Sequence, residues 1–236
     1  MTPSMETSER EPVLNVPAPL VAIVLVLLGI HLLMAFGPSP WTREVLVAGA
    51  FIPARLTLDG GGWAAWSMWV SYAFLHGGWA HLALNSLWLV IFGTPVLQRI
   101  GTMRFALLCL AGAIGAAGLH VVAHWGDVVP MIGASGVVSA LTGAAARFAF
   151  APGARRDPRR ARRQALSQTF TNTTTLSFVA VWLVANVLFG AGMLDPNGPS
   201  IAWEAHIGGF LVGLLGFALF DQSGTRSVAP SEPTER

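Results

Sequence analysis

Long apolar runs separated by short polar connections dominate the pattern of this chain. Six of these runs come close to the roughly 20 residues that a helix needs to cross the hydrocarbon core of a bilayer. They lie at about residues 20–36, 79–97, 104–124, 134–151, 174–193 and 203–220. The pattern therefore predicts an all-α, polytopic membrane protein with a bundle of six transmembrane helices.

The sequence outside these runs predicts two short tails and one long connection. Residues 1–17 and 222–236 are polar and are predicted to be disordered, which leaves residues 18–221 as one membrane domain. The first run is predicted to be a retained helix and not a signal peptide, because its flank is acidic. The connection at about 37–78 carries four tryptophans and is predicted to lie partly in the headgroup region.

Composition agrees with this class of protein, and charge sets an orientation. Of the 236 residues, 53% are hydrophobic and 11% are charged, whereas a soluble domain carries about 25% charged residues. Seven of the 14 basic residues, all arginines, lie between Arg147 and Arg163. The positive-inside rule places this connection and both termini in the cytoplasm, and it explains the arginines better than a nucleic-acid patch does. The single Cys109 excludes an internal disulfide.

Polar residues in three of the runs converge on one depth. In this orientation the second, fourth and sixth helices all run from outside to inside, so their first residues share the outer half of the membrane. His81 lies near the start of the second helix, Ser135 opens the fourth and His206 opens the sixth. Polar groups are costly in the bilayer core, so side chains retained there are candidates for function.

Ser135 and His206 each open a line of small residues on one helix face. Such lines often serve only to pack helices closely. If these two pack together, however, His206 can take the proton of Ser135 as the hydroxyl attacks a carbonyl carbon. Glu204 faces away from His206, so we expect a catalytic dyad whose histidine is held by packing or backbone contacts. The two lines are Ser135, Ser139 and Gly143, and His206, Gly209, Gly213 and Gly216.

Acyl transfer also needs donors for the oxyanion that develops in the transition state. His81 and Asn85 are four residues apart and share a helix face. Together with the backbone N–H of Ser135 they would form an oxyanion hole, in which one donor contributes about 2.7–4 kcal/mol. The alternative is that both side chains form hydrogen bonds between helices, which contribute roughly 0.6 kcal/mol per pair.

The remaining histidines are not predicted to take part in a reaction. His76 is expected to be structural and to tie the preceding loop to the start of the second helix. Neither a His-Glu-x-x-His motif nor a cysteine pair supports zinc, so no metal ion is expected. Three further histidines are interpreted as satisfied or interfacial: His31, His120 and His124.

The motifs on these three helices resemble those of the rhomboid intramembrane serine proteases. The matching pieces are His76-x4-His81-x3-Asn85, Gly133-x-Ser135-Gly136 and Ala205-His206-x2-Gly209-x3-Gly213. The resemblance covers residues 18–221 and implies a rhomboid-like six-helix bundle that acts as a serine endopeptidase with no cofactor or metal. Two positions depart from the family pattern. Ser67-Met68 stands where many relatives have Trp-Arg, and Ser139 stands where some have a tyrosine that stacks on the catalytic histidine.

The resemblance also implies a role for each matching residue. The implied nucleophile is Ser135 and the implied general base is His206. The oxyanion-stabilising positions are His81, Asn85 and Gly133, and the supporting or helix-packing positions are His76, Gly136, Gly209 and Gly213.

The implied substrates are single-pass membrane proteins, cut near the outer end of their transmembrane segment. We expect a multi-pass protein of a bacterial inner membrane, with transmembrane substrates and the lipid bilayer as partners and no nucleic acid. The loop near 190–202 and the fifth helix are predicted to move as a gate. Other hypotheses are an inactive rhomboid-like binding or quality-control protein, a protease for C-terminal sorting tails, or a small proton-coupled transporter. Sequence predicts no oligomeric state.

Overall fold

The computed structural model describes residues 16–58, 62–151, 153–154, 157–190 and 202–222. Most of the predicted tails and the predicted gating loop lie outside these described residues. Within them the chain forms helices, turns and a single isolated bridge. The helices are α1 (Ala18–Phe36), α2 (Ser39–Gly49), α3 (Arg55–Leu58), α4 (Trp63–Ser71), α5 (Trp79–Ile100), α6 (Thr102–Ala123), α7 (Ser135–Ala146), α8 (Leu166–Thr171), α9 (Thr173–Gly190) and α10 (Trp203–Phe220).

Each of the six predicted apolar runs forms one helix. In chain order these helices are α1, α5, α6, α7, α9 and α10. Among the described helices, α1, α5, α6 and α10 are long and apolar enough to cross a membrane by length and composition. The helices α7 and α9 are apolar but shorter. The all-α, polytopic fold is therefore confirmed, while the prediction of six full spans holds for four helices by this criterion.

The fourth run departs most from its predicted bounds, because α7 ends at Ala146 and not near residue 151. The backbone N–H of Arg147 bonds to the oxygen of Ala144, which tightens the last turn. The Arg147 side chain then turns into the bundle, where it donates hydrogen bonds to the backbone oxygens of Gln164 and Leu214. A straight continuation of the helix would carry this guanidinium away from those oxygens.

Small residues hold α6, α7 and α10 together at the centre of the bundle. A Cβ atom on Gly209 would collide with the backbone of Gly136, and one on Gly213 would collide with that of Ala140. Glycine is thus required where α10 crosses α7, as the small-residue spacing predicts. On α7, however, the contacts involve Gly136, Ala140 and Gly143, so the line is rotated from the predicted one and leaves Ser135 outside the backbone contact. On α10 the position of Gly216 is open.

The helices α5, α7 and α10 begin at one end of the bundle and end at the other. The start of α7 lies against the first turns of α5, since a Cβ on Gly133 would meet the ring of His81. At the opposite end Arg99 of α5 forms a 2.9 Å ion pair with Asp221, which directly follows α10. These contacts agree with the predicted parallel course of the three helices. We call the two ends the site end and the arginine end.

The connection between α1 and α5 folds into short helices, whereas the sequence predicted an interfacial loop. Phe51 in this connection pairs with Met131, with N–H···O distances of 3.0 and 2.8 Å. The connection is thereby fastened to the segment that precedes α7 at the site end. Three of its four tryptophans are exposed, as expected for side chains that meet headgroups. They are Trp41, Trp63 and Trp66.

Candidate active site

A turn at Gly133 directly precedes α7 and places Ser135 at the first position of that helix. The backbone of Gly133 has φ +119°, a conformation that residues with a Cβ atom rarely adopt. Its N–H donates a 2.9 Å hydrogen bond to the backbone oxygen of Tyr72, which fixes the turn on the α4 side. Ser135 is the first residue of the helix and is partly exposed. The N–H groups of this first turn have no partner within the helix, so they are available to an incoming carbonyl oxygen.

The turn lies directly against the two polar residues of α5. A Cβ atom on Gly133 would stand 2.6 Å from Nε2 of His81 and 3.6 Å from Nδ2 of Asn85. The structure thus brings together the three positions that the sequence grouped around the oxyanion. Glycine at position 133 leaves both side chains room beside the start of α7.

Hydrogen bonding assigns the proton on the His81 ring. Its Nδ1 faces the backbone N–H of Gly77 at 3.4 Å, and that contact makes Nδ1 the acceptor. A neutral imidazole carries its proton on the other nitrogen, so Nε2–H is the donor. This is the nitrogen that lies beside Gly133. The His81 ring therefore presents a donor toward the turn that leads to Ser135.

Asn85 holds a second donor next to the first. Its side chain is buried, and Nδ2 has no hydrogen-bond partner among the described residues. Buried polar atoms are nearly always paired, so an unpaired amide in a membrane helix calls for a ligand or water. The Asn85 amide and the His81 ring thus form a pair of donors that face the same turn.

The ring of His206 is oriented by a side chain that sequence analysis missed. Its Nδ1 lies 2.6 Å from Oδ1 of Asn186 on α9, and Nδ2 of that amide donates to the backbone oxygen of Trp182 at 2.7 Å. The amide oxygen can only accept, so Nδ1 of His206 carries the proton and Nε2 keeps a lone pair. The expectation of orientation by packing or backbone contacts alone is therefore wrong. The missed signal was a polar residue within an apolar run, the criterion that selected His206 itself.

Ser135 and His206 lie on the same side of the crossing between α7 and α10. Gly136 follows Ser135 directly, and Gly209 follows His206 by three residues, about 4.5 Å along a helix axis. Because Gly136 and Gly209 are in backbone contact, both functional side chains stand at the site end of that contact. No hydrogen bond joins Ser135 to His206 within the described parts of the chain. In ligand-free enzymes such bonds are often long and tighten only in the complex.

Tyr72 and His76 support the site from the segment before α5. Tyr72, the single tyrosine of the chain, is buried and donates a 2.9 Å hydrogen bond to the backbone oxygen of Ala113 on α6. His76 is buried with its ring edge against His81, at 5.1 Å between ring centroids. Burial lowers the pKa of His76 to about 4, so the ring is neutral at physiological pH. Tyr72 thus ties this segment to α6, while both ring nitrogens of His76 are buried without a hydrogen-bond partner among the described residues, so its structural role stays a prediction.

Two of the three remaining histidines, His120 and His124, contact a carboxylate, whereas the third, His31, packs on Trp79 with its Nδ1 unpaired among the described residues. His120 Nδ1 and His124 Nε2 lie 2.7 and 3.0 Å from the same Oε1 of Glu204. Glu204 thus contacts α6 and not His206, as its position on α10 predicts. The prediction that His120 is a satisfied histidine is confirmed by this bond.

Fold and site together define a multi-pass integral membrane protein with its polar, chemically competent side chains gathered at one end of a helical bundle. A family model described as the Rhomboid domain matches residues 63–222, which is more than half of the chain. The chain therefore belongs to the rhomboid family.

Similar proteins have been named in several bacteria. The chain is 29% identical over 195 residues to the Rhomboid protease GlpG of Yersinia enterocolitica serotype O:8 / biotype 1B. The alignment covers 76% of this chain and 61% of that protein. The proteins of the same name from Yersinia pestis (strain Pestoides F) and Yersinia pseudotuberculosis serotype O:3 (strain YPIII) have the same identity and coverage. The chain thus spans 61% of the length of these curated relatives.

Proposed function

We propose that this protein is an intramembrane serine endopeptidase with Ser135 as nucleophile and His206 as general base. The observation that carries the proposal is the backbone contact of Gly136 with Gly209, which holds the two side chains on one side of the crossing between α7 and α10. The name shared by the bacterial relatives, Rhomboid protease GlpG, supports the same activity.

The position of the proton on the His206 ring suits acylation of Ser135. His206 carries its proton on Nδ1, toward Asn186, so Nε2 is free to accept the proton of the Ser135 hydroxyl. As the serine oxygen bonds to the scissile carbonyl carbon, negative charge collects on the carbonyl oxygen. The imidazolium then gives its proton to the departing amine, and water repeats the sequence to release the acyl group.

Three donors are available to the oxyanion. They are Nε2–H of His81, the Asn85 amide and the first N–H groups of α7. The amide of Asn85 has no partner to give up before it can bind the developing charge, so little reorganisation is needed during the reaction. Gly133 serves this arrangement through its lack of a side chain.

The substrates we propose are transmembrane segments of single-pass proteins, cut near the outer face of the bilayer. Exposed apolar side chains on α5 and α9 offer a lipid-facing surface along which such a segment can approach. Orientation follows from the arginines: the arginine end faces the cytoplasm of a bacterial inner membrane, both termini are cytoplasmic, and the site end faces outward.

The test is cleavage of a model transmembrane substrate by purified protein in detergent or liposomes. Ser135→Ala and His206→Ala should each abolish cleavage while the thermal unfolding midpoint stays close to that of the native protein. Ser139→Ala is the matched control, because Ser139 is a second serine one turn further along α7 and should be dispensable. Cleavage that persists in Ser135→Ala would assign the reaction to another nucleophile, and an inactive native protein would favour a binding role.

A further inference from the structure

A second group of polar side chains lies at the site end, apart from the proposed catalytic residues. It consists of His120, His124 and Glu204, which we call the His-Glu cluster. Its ligand atoms all lie within 4.8 Å of one another. Two of its separations are shorter, since Oε1 of Glu204 is 2.7 Å from Nδ1 of His120 and 3.0 Å from Nε2 of His124. Two imidazoles thus converge on a single carboxylate oxygen.

The backbone frame of the cluster is rigid. His120 lies in the last turn of α6 and His124 follows one turn later, so both rings leave the same helix face. Glu204 lies in the first turn of α10. The two helices are fixed against each other because a Cβ atom on Gly208 would collide with the backbone oxygen of Gly115. The ligands therefore come from two tightly packed helices.

A fourth residue completes a pattern found around metal-bound histidines. Oδ2 of Asp127 lies 2.8 Å from Nδ1 of His124, while Nε2 of the same ring faces Glu204. Metal-ligating histidines almost always donate their second ring N–H to a carboxylate or carbonyl, which fixes the ring and raises its basicity. Asp127 occupies this position for His124.

We propose that the His-Glu cluster binds one divalent transition-metal ion, with Zn²⁺ as the best fit. Two imidazole nitrogens and one carboxylate oxygen are a ligand set of zinc, which leaves a fourth position for water. Two ligands of one tetrahedral zinc ion stand roughly 3.3 Å apart, given bonds of about 2.0–2.1 Å. The two His–Glu separations of 2.7 and 3.0 Å need only small ring movements to reach that value, and the separation between the two histidine nitrogens is at most 4.8 Å. Imidazole ligands disfavour Mg²⁺ and Ca²⁺, which take oxygen.

The cluster is open to water from the site end. The side chain of His124 is 39% exposed and that of Asp127 is 52% exposed, whereas that of Glu204 is 9% exposed. An ion can thus enter past His124. Once bound, it would tie the first turn of α10 to the end of α6, two residues before His206.

The test uses the full chain without a histidine tag, carrying Ser135→Ala so that its result does not depend on proteolysis. Zn²⁺ is added and unbound ion is removed, after which bound zinc is measured by mass spectrometry and unfolding is followed by a thermal scan. We expect about one zinc ion per chain and a higher unfolding midpoint with zinc than with a chelator.

Three further variants and one control, each added to Ser135→Ala, make the assignment specific. His124→Gln and Glu204→Gln keep the size and polarity of the site but should each lose the bound zinc and the shift of the midpoint. Asp127→Asn should retain the site with roughly ten- to a hundredfold weaker affinity. His31→Gln is the matched control, since His31 is a buried histidine on α1 that contacts Trp79, and it should bind zinc like the Ser135→Ala protein.

Other outcomes would overturn the proposal. If the Ser135→Ala protein binds no zinc and its midpoint is unchanged, the His-Glu cluster is only a hydrogen-bond network between α6 and α10. If zinc binds equally to the Ser135→Ala protein and to the same protein with Glu204→Gln added, the ion occupies another site. Because Ser135→Ala is present throughout, either result is independent of the proposed protease activity.

Discussion

Two buried polar side chains at opposite ends of the bundle, Arg147 and Asn85, differ in their hydrogen bonding. At the arginine end Arg147 is buried and donates hydrogen bonds to the backbone oxygens of Gln164 and Leu214. At the site end Asn85 is equally buried, yet its Nδ2 has no partner among the residues that the structure describes. Polar groups at the arginine end stabilise the fold, whereas the unpaired donor at the site end is available to a ligand.

Helix direction gives the two ends a second difference. The helices α5, α7 and α10 point their first turns, with free N–H groups, to the site end, and their last turns, with free carbonyl oxygens, to the arginine end. Arginine side chains carry only donors and therefore match free carbonyls. A developing oxyanion accepts hydrogen bonds and therefore matches free N–H groups. One parallel arrangement thus gives the arginine end carbonyl acceptors and the site end, where we propose that the reaction takes place, N–H donors.

The largest effect is expected from removal of the unpaired donor at the site end. We expect Asn85→Ala to lower kcat by about 10²-fold or more with little change in KM, since the amide is proposed to bind charge only in the transition state. Steady-state cleavage kinetics check this. Thr94→Val is the control on the same helix, because the Thr94 hydroxyl bonds to the backbone oxygen of Val90. A kcat near that of the native protein would return Asn85 to a structural role.

A smaller effect is expected where the site end does contain a satisfied pair. Asn186→Leu removes the acceptor that holds Nδ1–H of His206, and we expect kcat to fall about tenfold, the value of one hydrogen bond of roughly 1.4 kcal/mol. Asn186→Asp keeps an acceptor at the same place and should restore most of the rate. If the leucine and aspartate variants have the same rate, Asn186 does not position His206.

At the arginine end a substitution should affect stability and leave the chemistry unchanged. Arg147→Met removes hydrogen bonds from a charged donor, each of which contributes about 1.5–3 kcal/mol, so the thermal unfolding midpoint should drop clearly. The activity per folded molecule should be unchanged. Arg160→Met is the control, because the Arg160 side chain is 91% exposed and its loss should leave the midpoint almost unaltered. A folded but inactive Arg147→Met would show that the two ends are coupled.

The sequence predicted most of the architecture because apolar runs of membrane length define helices with little ambiguity. It also paired His81 with Asn85 by their spacing, and the resemblance to the rhomboid proteases added Gly133, which the structure brings beside both side chains. The sequence predicted less well those details that depend on the angular position of a side chain around its helix. The face of α7 that contacts α10 is rotated from the predicted line, because backbone approach at Gly136 decides the crossing and spacing alone does not.

Contacts between distant parts of the chain were missed for a similar reason. Asn186 and His206 lie on different helices and are 20 residues apart in sequence, so no local pattern pairs them. The His-Glu cluster unites α6 with a residue 84 positions from His120, a separation that no short metal-binding motif describes. The polarity of Asn186 within an apolar run was the only local sign of its role.

The most direct test of the central claim is covalent labelling of the intact protein with a fluorophosphonate, followed by peptide mass spectrometry. We predict one adduct on Ser135, retained in Ser139→Ala and lost in Ser135→Ala and in His206→Ala, because the serine oxygen is nucleophilic only when the imidazole removes its proton. An adduct on another residue, or labelling of Ser135 that does not depend on His206, would contradict the account.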